Sequence, residues 1–222
     1  MKKKLYIYGV GGYALEIFAI LEDSWDSIYQ NATLAESYDF AGFVGTREYA
    51  CHNILARPDF IDDKSFQPSE NVAAILAIGR NLNFRRKVID DLISHNVSFP
   101  NLIHPSVIVK SNNMGIGNIV APFSIIQPFA QIGNFNFINV YSAIGHDCLV
   151  GNYNIISPYA HLNGGSSMGD SNLIGAKTCF LPNATIGNEN IVAPGSFIYK
   201  RFRNENLISG NPAVIQANVQ CQ

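Results

Sequence analysis

The chain has 222 residues, 47% apolar and 14% charged, with a formal net charge of −2. That composition supports a large core and argues against disorder, and the charge gives no electrostatic reason to expect nucleic acid or an anionic membrane as partner. Four scattered cysteines (Cys51, Cys148, Cys179, Cys221) without a CxxC pair predict reduced thiols rather than a disulfide framework.

In chain order, Met1-Lys2-Lys3-Lys4 before Leu5–Tyr8 has the outline of a secretory leader, but Gly9, Gly11, Gly12 and Glu16 interrupt the apolar run. No stretch of about 18 apolar residues follows, so a cytoplasmic location is expected. Lys4–Tyr8 reads as a strand, Gly9-Val10-Gly11-Gly12 as a tight turn, and Tyr13 to about Glu22 as a helix. Strand, glycine turn, helix is a geometry whose backbone N–H groups can cradle a phosphate. Further strands are expected at Phe40–Val44 and Val72–Ile78, and a helix from Asn83 to about Ser94, closing a small α/β unit near Pro100. Ala14 interrupts the full G-x-G-x-x-G pattern, and Val44-Gly45 stand where a dinucleotide fold would carry an acidic ribose ligand, so NAD is not expected.

From Leu102 the period changes to six. Leu102, Ile108, Met114, Val120, Ile126, Ile132, Ile138, Ile144, Val150, Ile156, Leu162, Met168, Ile174, Phe180, Ile186, Val192 and Ile198 are all large and apolar. Four residues after each comes a small or amide-bearing residue, from Ser106 and Asn112 through Asn136, Cys148 and Asn154 to Ser196. Glycine often follows the apolar site, as at Gly115, Gly133, Gly145, Gly151, Gly169, Gly175 and Gly187, where a permissive backbone suits a corner. Six is neither the helical nor the strand period. It fits the flat side of a triangular coil, with three sides to an 18-residue turn and asparagines stacked into amide ladders.

In the coils, Gly145-His146-Asp147 holds an imidazole beside a carboxylate and away from the inward apolar column, a pairing suited to a general base. Cys148 falls in the small inward column and reads as a buried thiol rather than a nucleophile. His104, His146 and His161 include no close ligand pair, so no metal is expected and a trimeric zinc hydratase is a remote alternative. His104, beside Pro105, reads as a packing residue. The tail Leu207–Ala213 is expected to cap the coil end.

The hexapeptide columns resemble those of the left-handed β-helix acyltransferases. Ile7–Gly12, Ala77–Asn81, Asn101–Pro105, Gly145–Gly151 and Gly210–Ala213, in this order, resemble the sialic-acid O-acetyltransferase and nucleotide-amino-sugar N-acetyltransferase family over essentially the whole chain. The resemblance implies a Rossmann-like sugar-nucleotide domain at 1–100 and a left-handed parallel β-helix with C-terminal cap at 101–222. It also implies a homotrimer with active sites between subunits, acetyl-CoA as co-substrate and no metal. His146 is then the base and Asp147 its partner. Gly9, Gly11, Gly12, Tyr13, Gly79, Arg80 and Asn81 face the acceptor. Ile155, His161, Gly164, Ala176, Pro194 and Lys200 meet acetyl-CoA, with the Gly164 N–H toward the thioester carbonyl and Lys200, Arg201 and Arg203 near its phosphates. The implied reaction is N-acetylation of a UDP- or dTDP-linked amino sugar, with O-acetylation of sialic acid or another sugar as the alternative. Tyr13 stands where the family often has His and Val44-Gly45 where it has an acidic pair, departures that bear on the acceptor; Ile155 stands where many relatives have a second His near the thioester, and His161 is the nearest substitute.

Overall fold

A computed structural model describes residues 2–27, 33–79 and 81–219. The chain divides into two compact units, 1–105 and 106–222.

The first unit is built on a four-stranded parallel sheet. Its elements are β1 (Lys3–Tyr8), α1 (Gly12–Ser24), α2 (Leu34–Ser37), β2 (Tyr38–Gly45), α3 (His52–Leu55), β3 (Phe60–Asp62), β4 (Val72–Leu76) and α4 (Leu82–Ser94). The strand order is β3-β2-β1-β4. Leu5, Ile7, Phe43, Val44 and the whole of β4 are buried, as continuous apolar runs in parallel strands require. Leaving β1, the chain comes so close to β4 that a Cβ on Gly9 would sit 2.4 Å from the Ala77 carbonyl oxygen; with φ at +141°, only glycine fits. Sequence periodicity missed α2, α3 and β3, because three or four residues are too few to display a period. His104 is a packing residue here: its Nε2 lies 3.2 Å from the Asp23 carboxylate.

The second unit is a coil of two-residue strands in three parallel sheets. Away from the two ends of the coil, each strand pairs with the strand 18 residues on: Phe137–Ile138 with Ile155–Ile156, Ala143–Ile144 with His161–Leu162, Leu149–Val150 with Ser167–Met168. These pairings define the first, second and third sides of a triangular prism. Ile138, Ile144, Ile156, Leu162, Ile174, Phe180 and Ile198 point inward and are completely buried. At the corner that precedes the first side, Asn118, Asn136, Asn154, Asn172, Asn190 and Asn206 stack, each Nδ2 donating to the Oδ1 below at 3.0–3.2 Å.

The ends of the coil depart from the six-residue count. Ile108 is outward and 51% exposed, and Val109 takes the inward register opposite Ile126. The corner from Val109 to Met114 is therefore one residue short, Asn112 is exposed, and Ser111 is the buried residue, its Oγ donating to Ala130 O at 2.6 Å. At the other end the step from Ile198 to Phe202 is four residues. Phe202 pairs in register beside Ile186, and Ile208 beside Val192. Residues Asn206–Ser209 thus continue the coil rather than cap it, and Val214–Asn218 covers them as an antiparallel strand.

The glycines after the apolar sites also serve another purpose than expected. None of them has a left-handed φ; a Cβ on Gly133 or Gly151 would instead meet the backbone of the next coil at 2.6–2.7 Å. Most left-handed turns fall on residues with side chains, among them Phe123, Phe129, Tyr141, Asp147, Tyr153, Tyr159, Lys177 and Asn183, with φ between 57° and 63°; others fall on Gly117, Gly165 and Gly195, with φ between 66° and 72°.

Candidate active site

His146 lies at the corner between the second and third sides. Ile144 before it and Cys148 after it are both fully buried, Gly145 is buried too, and His146 and Asp147 turn outward between them. The turn is completed by Asp147 in the left-handed region, φ 57°. The corner is bonded to both neighbouring coils: Asp147 N donates to Pro128 O at 3.2 Å, and Gly165 N donates to His146 O at 2.9 Å. The backbone is therefore fixed while both side chains stay open, His146 at 68% and Asp147 at 61% exposure.

Asp147 Oδ2 lies 2.7 Å from His146 Nδ1. With Nδ1–H donating to this carboxylate, Nε2 carries the lone pair, which is the tautomer of a base. An imidazole in that state can accept a proton from an amine or hydroxyl attacking a carbonyl. Cys148 does not offer a competing nucleophile. Its Sγ is buried against Asn163 O at 3.2 Å, and burial pushes its thiol above the ordinary range.

One coil further on, Gly164 lies directly against the His146 ring. His161 is exposed on the second side, between Ala143 and Cys179. Ala176 and Pro194 share the corner that precedes this side, where Gly195 N donates to Ala176 O at 2.8 Å and Gly175 packs against Pro194 N. Lys200 sits exposed beyond the last strand of the side, its ammonium 5.1 Å from the Tyr199 ring centre. These five residues therefore border one side of the coil and its two corners. Ile155 is apart from them, on the first side and 8% exposed. Pro128, Asn163 and Gly165 went unmarked in the sequence, although Gly164-Gly165 is the double glycine of the repeat region. Among the described residues no group of three or more His, Cys, Asp or Glu side chains is arranged to hold a metal ion.

In the first unit, Gly11 is the N-cap of α1, and Gly11, Gly12 and Gly79 each face open space where a Cβ would stand. Gly9 instead meets a close backbone. Tyr13 is partly exposed as a residue, yet burial of its phenol pushes the pKa well above the ordinary value, with Arg85 pulling it down and Glu16 up. Asn81 caps α4, its Oδ1 accepting from Phe84 N at 2.9 Å, so its side chain is already engaged. Arg80 lies outside the described residues.

No protein-family model matches the chain. A GDP-perosamine N-acetyltransferase of Escherichia coli O157:H7 is 32% identical over 144 residues. The match covers 64% of this chain and 62% of that protein. PerB from Caulobacter crescentus, solved in complex with CoA and GDP-perosamine, superimposes with a TM-score of 0.81 at 26% identity, covering 98% of this chain and 99% of that one. The acetyltransferase domain of PglB from Neisseria gonorrhoeae FA1090, solved with acetyl coenzyme A, shares the fold with a TM-score of 0.80 at 23% identity, over 97% and 100% of the two chains. The resemblance drawn from the motifs therefore holds: relative and structural neighbours are acetyltransferases of the left-handed hexapeptide-repeat β-helix type.

Proposed function

We propose that this chain is an acetyl-CoA-dependent N-acetyltransferase whose acceptor is an amino sugar carried on a nucleoside diphosphate. The observation that carries the reading is the His146–Asp147 pair, a 2.7 Å bond on Nδ1 that leaves Nε2, beside Gly164 on an exposed ring, for the proton. The amine nitrogen attacks the thioester carbonyl carbon, and Nε2 takes the amine proton. The new C–N bond forms, the tetrahedral oxyanion collapses, the C–S bond breaks, and the proton passes to the leaving CoA thiolate. By the family resemblance, the N–H of Gly164 donates to the carbonyl oxygen as charge grows on it. Ile155, His161, Ala176, Pro194 and Lys200 are its acetyl-CoA contacts.

The nucleotide is assigned to the first unit as a Rossmann-like domain. Support comes from the parallel order β3-β2-β1-β4, whose switch of direction falls between β1 and β4. Gly9–Gly12 follow β1, Ala77–Gly79 follow β4, and the 13-residue α1 presents its N-terminus there. Gly11, Gly12 and Gly79 leave room for an approaching anion, and Tyr13 supplies a neutral hydroxyl. The relative, named for GDP-perosamine, and PerB, solved in complex with it, favour a GDP-linked acceptor over the UDP- or dTDP-linked ones that the family resemblance implied.

The reading extends to a homotrimer with sites between subunits. Phe123, Tyr141 and Tyr159 form an exposed stack on one edge of the prism, with ring centres 5.0 Å apart, an apolar surface suited to burial against a second copy. The proposed location is the cytoplasm; no helix among the described residues is long and apolar enough to cross a membrane.

The test is thiol release from acetyl-CoA with GDP-, UDP- and dTDP-linked amino sugars, free sialic acid and serine as acceptors. Fast release with a GDP-linked amino sugar, lost in His146→Ala, is expected. Release with sialic acid alone would replace the reading with O-acetylation.

A further inference from the structure

The rung of the corner that holds His146 is occupied by Pro128, His146, Gly164 and Pro182 on four successive coils. Three of these four carry side chains, and Gly164 has no left-handed φ. The backbone at this rung thus accepts a Cβ, and the glycine must have another cause. A Cβ built on Gly164 would lie 2.3 Å from His146 Nε2, 2.5 Å from Cε1 and 2.9 Å from Cδ2. The nearest of them, Nε2, lies across the ring from the Nδ1–Asp147 bond, as does Cδ2. The imidazole therefore occupies the volume that a side chain at position 164 would fill.

We propose that Gly164 is a positioning residue for the base: its missing side chain is the seat on which the His146 ring lies. Asp147 holds the ring by Nδ1 and the bare Cα of Gly164 lets the opposite edge settle against the next coil. Two supports fix the direction of the Nε2 lone pair on a side chain that is otherwise open to water. The role is distinct from a backbone donor to the thioester, since it acts through His146 and depends on the absence of Cβ rather than on an N–H. For the activity measurements it rests on the function proposed above; the spectroscopic and stability measurements do not.

The neighbouring Gly145 provides the contrast. A Cβ there would meet Leu162 O at 2.6 Å and Gly164 N at 2.7 Å, which are backbone atoms that cannot yield. At Gly164 the obstructing atoms belong to an exposed ring that can swing away. Gly164→Ala should therefore fold with a melting temperature near that of the wild type, while the ring is turned off its seat.

The experiment is a double-mutant cycle on Gly164→Ala and His146→Ala, with imidazole 15N NMR of His146 in the full-length protein. Gly164→Ala is expected to lower kcat by about 100-fold, the scale of an ångström-sized misplacement, with KM for acetyl-CoA within a few-fold of wild type. In the His146→Ala background the same change should cost nothing further, because there is no ring left to displace. The His146 Nδ1–H resonance should shift or broaden in Gly164→Ala. An unchanged resonance, or a loss that adds in full to that of His146→Ala, would overturn the proposal. If Gly164→Ala is destabilised, recovery of stability on removing the His146 ring supports the seat, and persistence of the defect without the ring refutes it. Should no nucleotide-linked acceptor be turned over, the resonance and the stability cycle still decide the question.

Discussion

Asn154 makes every hydrogen bond its amide allows. Its Nδ2 donates to Asn136 Oδ1 at 3.0 Å and to Gly169 O at 2.9 Å, and its Oδ1 accepts from Asn172 N and Nδ2 at 2.8 and 3.0 Å. It has no solvent-exposed surface. Replacing it with leucine of similar size would orphan Gly169 O, Asn172 N and Asn172 Nδ2 on the coil after, while Asn136 Oδ1 keeps the Asn154 N–H, at about 1–3 kcal/mol for each buried group left unpaired. Asn154→Leu is therefore expected to lose more than about 2 kcal/mol, read as a fall in the urea midpoint, and an unchanged midpoint would deny the ladder its stabilising part. The column of small and amide residues was legible in sequence, since its spacing alone marks it. Which oxygen serves which donor was not, because those partners lie 18 residues away and meet only when coils stack. The same limit applies to His146: its neighbour Asp147 could be read off the chain, whereas the ring's contact with Gly164 required one full turn of coil to be closed.

At the scale of the coil, the period of six identified strands of two residues that no ordinary strand signal would reveal. It failed where corners change length. Ile108 satisfies the period yet is 51% exposed, and Phe202 breaks the period yet is 3% exposed. Phe202→Ala is expected to cost about 3–5 kcal/mol, the range for removing a buried aromatic side chain, and Ile108→Ala less than about 1 kcal/mol. Equal effects in thermal unfolding would mean that the terminal coils are not wound as described. The glycine pattern was likewise visible but its cause was not. Gly133 and Gly151 lack a side chain because the next coil's backbone arrives at 2.6–2.7 Å. Most of the left-handed turns are carried instead by aromatic, charged and amide residues, at an intrinsic cost of about 1–2 kcal/mol each for a residue with a Cβ. Backbone hydrogen bonds hold them there, such as Tyr159 N to Val140 O at 3.1 Å and Asp147 N to Pro128 O at 3.2 Å.

At the scale of the molecule, the proposed trimer makes a direct prediction. Sedimentation equilibrium should give three times the 24.4 kDa chain mass. Tyr141→Glu puts a charge in the middle of the stack of Phe123, Tyr141 and Tyr159 and should shift the protein toward monomer, with loss of activity following the loss of assembly. A monomeric and active wild-type protein would remove the trimer from the functional reading.

The class of the second unit was legible along the chain, because a repeat writes the same local requirement many times: an apolar residue at seventeen successive sites six apart, and a small or amide-bearing one four places after sixteen of them. The sequence by itself also marked the first strand, glycine turn and helix, and the His146-Asp147 pair to which the proposed function gives the base, since these depend on neighbours along the chain. Only the tertiary structure decided the inward register at the two coil ends, the reason for the glycines, the apartness of Ile155 from the His146 corner within one chain, and the fit of the imidazole to the bare Cα of Gly164. Each of these is a distance between residues many positions apart, set by how closely one coil settles on the next, and no local pattern records that closeness.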